Sequence, residues 1–136
     1  MKKSTIVLIV FFLVFQIGNK TSAQDKIGIF DTNIDIGNCA IEGTSKFSAE
    51  NQTYTLSGSG TNMWYGKDDF QYLWTTIQGD FILRAEVEFV GEGVDPHRKV
   101  GWIVKNSLDT NSKHVNASTH GDGLTSIQYR KEVGAD

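Results

Sequence analysis

Several groups of side chains in this sequence could do chemistry, and the densest is aromatic. Trp64, Tyr65, Phe70, Tyr72, Trp74 and Phe81 fall within the stretch SGSGTNMWYGKDDFQYLWTTIQGDF (57–81), with Asp68 and Asp69 among them. Flat rings offer apolar area and a π-face to the C–H face of a pyranose; the same rings alternating along a strand pack between sheets. Phe70, Tyr72 and Trp74 alternate and read as packing. Trp64 and Tyr65 follow a Gly-Ser turn, precede the polar GKDD and read as loop contacts for a ligand. Asp68 and Asp69 could offer oxygen ligands to calcium. Their spacing matches no calcium-loop motif, and bonds to turn N–H groups would serve them equally well.

A second group is acidic. Glu86 and Glu88 stand two residues apart in DFILRAEVEFV (80–90), a spacing that points both carboxylates the same way on a strand. A retaining glycosidase needs two carboxyl groups about 5–5.5 Å apart, with one pKa raised by its like-charged neighbour. Arg84 would share that face and hold both ionised, so a charged outer face is the plainer reading. A third group is His97, His114 and His120, none at zinc-motif spacing. His114 and His120 would lie about 20 Å apart along one strand face, too far to share a metal. His120 and Asp122, in HGDG, could meet a ligand hydroxyl or simply form a tight turn.

No Ser-His-Asp signature, G-x-S-x-G elbow or phosphate-cradling loop is present, and GSG at 58–60 runs into TNMW without a helix or Lys. The lone Cys39 cannot form an internal disulfide and reads as an inert thiol. The chemistry expected is therefore recognition rather than catalysis. The candidate ligand residues are Trp64, Tyr65, Asp69, His120, Asp122, Gln128 and Arg130. No cofactor is implied beyond the calcium option.

The elements that must position these residues have period two. Phe81, Leu83, Ala85, Val87 and Phe89 alternate with Arg84, Glu86 and Glu88, which predicts a half-buried strand joined to FQYLWTTI by a hairpin at Gly79. KVGWIVK places Val100, Trp102 and Val104 on one face. HVNASTH places Val115, Ala117 and Thr119 inside and His114, Asn116, Ser118 and His120 outside. LTSIQYR separates Thr125, Ile127 and Tyr129 from Ser126, Gln128 and Arg130. TSKFSAENQTYTLSGSG reads as two short strands around a turn at Glu50-Asn51. Six to eight strands with turn clusters between them predict an all-β sandwich or barrel. Arg84, Lys105, Asn116, Ser118, His120, Gln128 and Arg130 would then form a polar, groove-side face. Arg, Asn and Gln with aromatics at the rim suit neutral or acidic glycans.

The first 23 residues read differently. Lys2 and Lys3 precede the apolar run Ile6–Phe15, and TSA closes the segment at Ala23, the pattern of a secretory signal peptide. The run is shorter than the ~20 residues that span a bilayer. Removing it takes Lys+Arg from 13 to 10 against 16 acids, a net charge near −6. That balance argues against a nucleic-acid partner. It suits a periplasmic or secreted domain over 24–136. QYRKEVGAD stops directly after a strand, which predicts further strands beyond it.

FDTNIDIG, YTLSGSGTNMWYGKDDFQYLW, GDFILRAEVEF, DPHRKVGWIVKNSLD and HGDGLTSIQYR, in this order, resemble a bacterial, laminin-G-like branch of the concanavalin A-like lectin/glucanase superfamily, related to the regulation-of-enolase proteins. Similar segments stand at the front of exported proteins that continue into a TolB-like β-propeller of biopolymer transport systems. The resemblance implies an antiparallel jelly-roll sandwich. It also implies a non-catalytic module for carbohydrate or a partner protein, or a structural accessory to a propeller. Glucanases of the superfamily carry a Glu, an Asp and a further Glu in close succession; Arg84, Glu86 and Glu88 depart from that pattern.

Overall fold

The computed structural model describes residues 25–136; the expected signal segment, 1–23, lies outside the described residues. Among the described residues seven strands form: β1 Thr32–Ile36, β2 Thr44–Ser48, β3 Thr53–Ser57, β4 Phe70–Trp74, β5 Lys99–Lys105, β6 His114–His120 and β7 Thr125–Arg130. All pairings are antiparallel, in the order β1-β4, β2-β3 and β5-β6-β7. The fold is all-β, as the period-two pattern predicts, and its sheets are consistent with a sandwich. No helix among the described residues is long and apolar enough to cross a membrane.

β2 and β3 make the expected hairpin. Ser48 pairs with Thr53, and the intervening turn is closed by Gln52, which takes a φ of +53° and donates its side-chain amide to the Ala49 carbonyl at 2.8 Å. β4 departs from the expected hairpin. Its partner is β1, from Thr32↔Trp74 to Ile36↔Phe70, and not the segment after Gly79. Residues 80–90 form no strand and leave Ile82 and Val90 almost fully exposed. Alternation decides which side chains share a face; a strand also needs a ladder partner, and no described segment supplies one here.

The three-stranded sheet corrects a second expectation. In antiparallel pairs, directly opposed residues share a face. One face of β5-β6-β7 therefore carries the rows Val104–Val115–Tyr129 and Trp102–Ala117–Ile127; the other carries Lys105–His114–Arg130, Ile103–Asn116–Gln128, Gly101–Ser118–Ser126 and Lys99–His120. It is the polar face that is covered. His114, Asn116, Ser118, His120 and Arg130 are buried, while Val115, Ile127 and Tyr129 are exposed. The expected inside and outside of β6 are thus exchanged.

What covers the polar face is the segment between β3 and β4. Lys99, at one end of β5, sits with its Nζ 5.4 Å from the centre of the Trp64 ring and bonds Asn62 Oδ1 at 3.2 Å. At the other end, Lys105 meets Asp68. β4 helps to fasten the layers, since the Tyr72 hydroxyl donates to the Ile103 carbonyl at 3.1 Å. Behind the apolar face, Trp102 and Phe30 lie 6.3 Å apart between ring centres, and Phe30 meets Tyr54 edge-on at 5.2 Å. The buried apolar side chains among the described residues are Phe30, Ile36 and Leu73, so polar contacts carry much of the interior.

Candidate functional site

The sheet register creates the central problem of this site and the loop answers it. Lys105, His114 and Arg130 stand side by side across three strands. Like charges in such a row repel. Asp68, fully buried, enters from the loop and lies among all three. Its Oδ2 accepts from Lys105 Nζ and lies 3.7 Å from His114 Nδ1. Arg130 Nη1 is 2.9 Å from Asp68 Oδ1, an ion pair by distance whose N–H hydrogens aim elsewhere, at the carbonyls of Thr110 (3.4 Å) and Ser112 (3.2 Å). Arg130 Nε donates to the Ala135 carbonyl at 2.8 Å. The side chains of all four residues are at most 3% exposed.

One carboxylate therefore faces two basic side chains, Lys105 and Arg130. His114 is held neutral. Burial lowers its pKa first, and the nearby Arg130 and Lys105 charges add to this against the opposing pull of Asp68. A site so furnished with cations leaves no opening for calcium on Asp68. Among the described residues no three His, Cys, Asp or Glu side chains converge as metal ligands.

Beside the cluster is a cavity of about 380 Å³ lined by Met63, Trp64, Tyr65, His114, Gln128, Tyr129, Arg130 and Asp136. Trp64 and Tyr65 project from the loop with their rings 6.3 Å apart and nearly perpendicular. Tyr65 is 82% exposed and takes a φ of +58°, a left-handed conformation that a non-glycine residue rarely holds. Tyr129 borders the cavity from β7, but its side chain belongs to the exposed apolar face of the sheet, so the rim rings are those of Trp64 and Tyr65. The floor is polar and the rim aromatic, a lining suited to sugar hydroxyls below and a pyranose face above.

Four of the candidate residues, Trp64, Tyr65, Gln128 and Arg130, come together here from a loop and from β7. The other three do not. Asp69 binds its own loop: it accepts from the Asn38 N–H at 2.9 Å and the Thr61 hydroxyl at 2.7 Å, and these bonds hold its carboxyl below the usual range. Asp122 accepts from the Leu124 N–H at 3.0 Å, the bond that chiefly lowers its pKa, and closes the HGDG turn. His120 is buried beside His97, with ring centres 6.1 Å apart. The expected groove of Lys105, Asn116, Ser118, His120, Gln128 and Arg130 does share a face, but that face is covered; its half-buried Gln128 and buried Arg130 border the cavity, and Arg84 stands apart on the unpaired segment.

Glu86 and Glu88 are exposed on that same segment, outside the cavity. Cys39 gives its thiol hydrogen to the Ile36 carbonyl, and burial followed by the Asp35 and Asp69 charges pushes the thiol up, away from nucleophilic use. Sequence reasoning missed His114 and the ion-pairing role of Asp68. The signal available for them was the row of basic residues on three neighbouring strands, which demands an acid from somewhere. No protein-family model, curated protein or solved structure matches this chain.

Proposed function

We propose that this chain is an exported, non-catalytic β-sandwich module that recognises carbohydrate at the cavity between the Trp64–Tyr65 loop and β7. The observation that carries the reading is the convergence of Trp64, Tyr65, Gln128 and Arg130, distant in sequence, around one cavity whose rim is aromatic. Exposed rings held on a strained loop, against a hydrogen-bonding floor, are what stacking on a sugar requires. The resemblance to the concanavalin A-like lectins supports the same ligand class. The basic start, the apolar run Ile6–Phe15 and the TSA exit support export to the periplasm or beyond.

A glycan array probed with the full chain tests this reading. Capture of one or a few glycans is expected, with the signal lost in Trp64→Ala and Tyr65→Ala. Both rings are surface groups, so both variants should fold. Absence of any captured glycan, or binding indifferent to both substitutions, would overturn it and leave a protein partner as the reading to pursue.

A further inference from the structure

We infer that the ligand is an acidic saccharide, one whose anionic group, carboxylate or sulfate, is received by Arg130; this rests on the carbohydrate reading above and narrows it. The first observation is the charge count of the buried cluster. Asp68 is its one carboxylate, against Lys105 and Arg130, while His114 remains neutral. A surplus cation away from water is unfavourable unless an anion completes it.

The second observation is where the surplus is offered. The Arg130 side chain is 3% exposed and lines the cavity. Its Nε and Nη1 are engaged by Ala135, Thr110 and Ser112, and its Nη2 has no hydrogen-bond partner among the described residues. Nη2 is then the one donor left to a ligand, and a charged donor bonds an anionic oxygen more strongly than a neutral hydroxyl. Beside it, His114 Nδ1 is buried and unpaired, and Gln128 adds an amide. The opposing charge is Asp136, exposed at the mouth, where water screens it. The rings of Trp64 and Tyr65 would hold the sugar body while Arg130 takes its acid.

The test is calorimetric titration of the full chain with three hexasaccharides: hexagalacturonate for a carboxylate, a heparin-derived hexasaccharide for a sulfate, and cellohexaose as the neutral probe. One of the acidic probes should bind about ten- to a hundredfold more tightly than cellohexaose, the factor a charge-assisted hydrogen bond supplies. Which acidic probe wins identifies the anion. Gln128→Glu places a carboxylate on the cavity wall without disturbing the ion-pair cluster, and should bring the acidic-to-neutral ratio close to one. Cellohexaose binding as tightly as both acidic probes overturns this inference and leaves carbohydrate recognition standing. No binding by any of the three overturns both. An acidic preference unchanged in Gln128→Glu overturns the placement at Arg130.

Discussion

Replacing Asp68 by Asn keeps the shape of the side chain and deletes the only carboxylate in the buried cluster. Lys105 and Arg130, each at most 3% exposed, would then face each other and His114 without a counter-charge. Breaking a buried pair by removing one partner destabilises by about 3–5 kcal/mol, because the remaining charge stays desolvated. Here two charges are left, so the upper half of that range is expected, against a total stability of about 5–15 kcal/mol for a domain of this kind. With a urea m-value of about 2 kcal/mol per molar, the unfolding midpoint should drop by about 2 M. Urea titration followed by tryptophan fluorescence reads this directly. Adding Lys105→Met to Asp68→Asn removes one orphaned cation and should recover part of the loss, a coupling of about 1–3 kcal/mol. A midpoint shift under about 0.3 M, or a double variant whose loss equals the sum of the singles, would refute the claim that Asp68 holds the cluster together.

Three further outcomes follow from the same geometry. His114 has its pKa lowered in the folded state, chiefly by burial, so the unfolded chain takes up a proton that the folded chain refuses. Its contribution to stability is complete above the ordinary value of about 6.5 and is lost as pH falls from there towards the depressed value, at up to about 1.4 kcal/mol per pH unit. Urea midpoints between pH 7 and 5 should show this slope, and His114→Asn should flatten it; equal slopes would contradict the assignment. Tyr65 holds its left-handed backbone with an exposed ring, so Tyr65→Gly should be neutral or stabilising by up to about 1 kcal/mol, and Tyr65→Val destabilising by a similar amount. A large loss of stability in Tyr65→Gly would mean that the ring is part of the packing. Hydrogen exchange read by mass spectrometry should find the amides of residues 81–90 unprotected and those of 115–119 slow, because among the described strands only β6 has ladder partners on both sides.

The strands were legible wherever alternation coincided with a local turn. β2 and β3, a few residues apart, could be paired from TSKFSAENQTYTLS alone, and β5, β6 and β7 are seen in KVGWIVK, HVNASTH and LTSIQYR. β1 was not read as a strand because TNIDI has only two apolar residues, and its partner β4 is more than thirty residues away. Residues 80–90 show the reverse: the cleanest alternation in the chain, and no ladder. For β6 the alternation correctly separates His114, Asn116, Ser118 and His120 from Val115, Ala117 and Thr119. It cannot say which set is covered. The charged end of the covered set is balanced by Asp68, and a carboxylate in a loop carries no local mark of the three basic side chains it will meet. Trp64 and Tyr65 were legible as loop aromatics because a Gly-Ser turn before them and GKDD after them leave no strand to pack in.

The buried cluster and the proposed ligand site are connected through one short piece of chain. The Asp68 N–H donates to the Thr110 carbonyl and the Asp69 N–H to the Asn62 carbonyl, both at 2.8 Å, so residues 62–69 form a closed loop pinned at its base to the connection between β5 and β6. Lys67 N–H bonds back to the Trp64 carbonyl at 3.3 Å, and Lys99 sits against the Trp64 ring. A loop of exposed aromatics left free would have to be ordered when a ligand arrives, at about 0.5–1.5 kcal/mol per immobilised side chain. Here the anchoring of Asp68 orders it beforehand. Disorder introduced at Asp68 should then weaken ligand binding even though Asp68 never reaches the cavity. In Asp68→Asn, studied in dilute urea-free buffer where the domain is still folded, affinity for a neutral glycan, which does not sense the added positive charge, should fall while the rings remain in place in the sequence. Affinity equal to that of the unaltered chain would show that the aromatic loop is positioned by something other than the buried carboxylate.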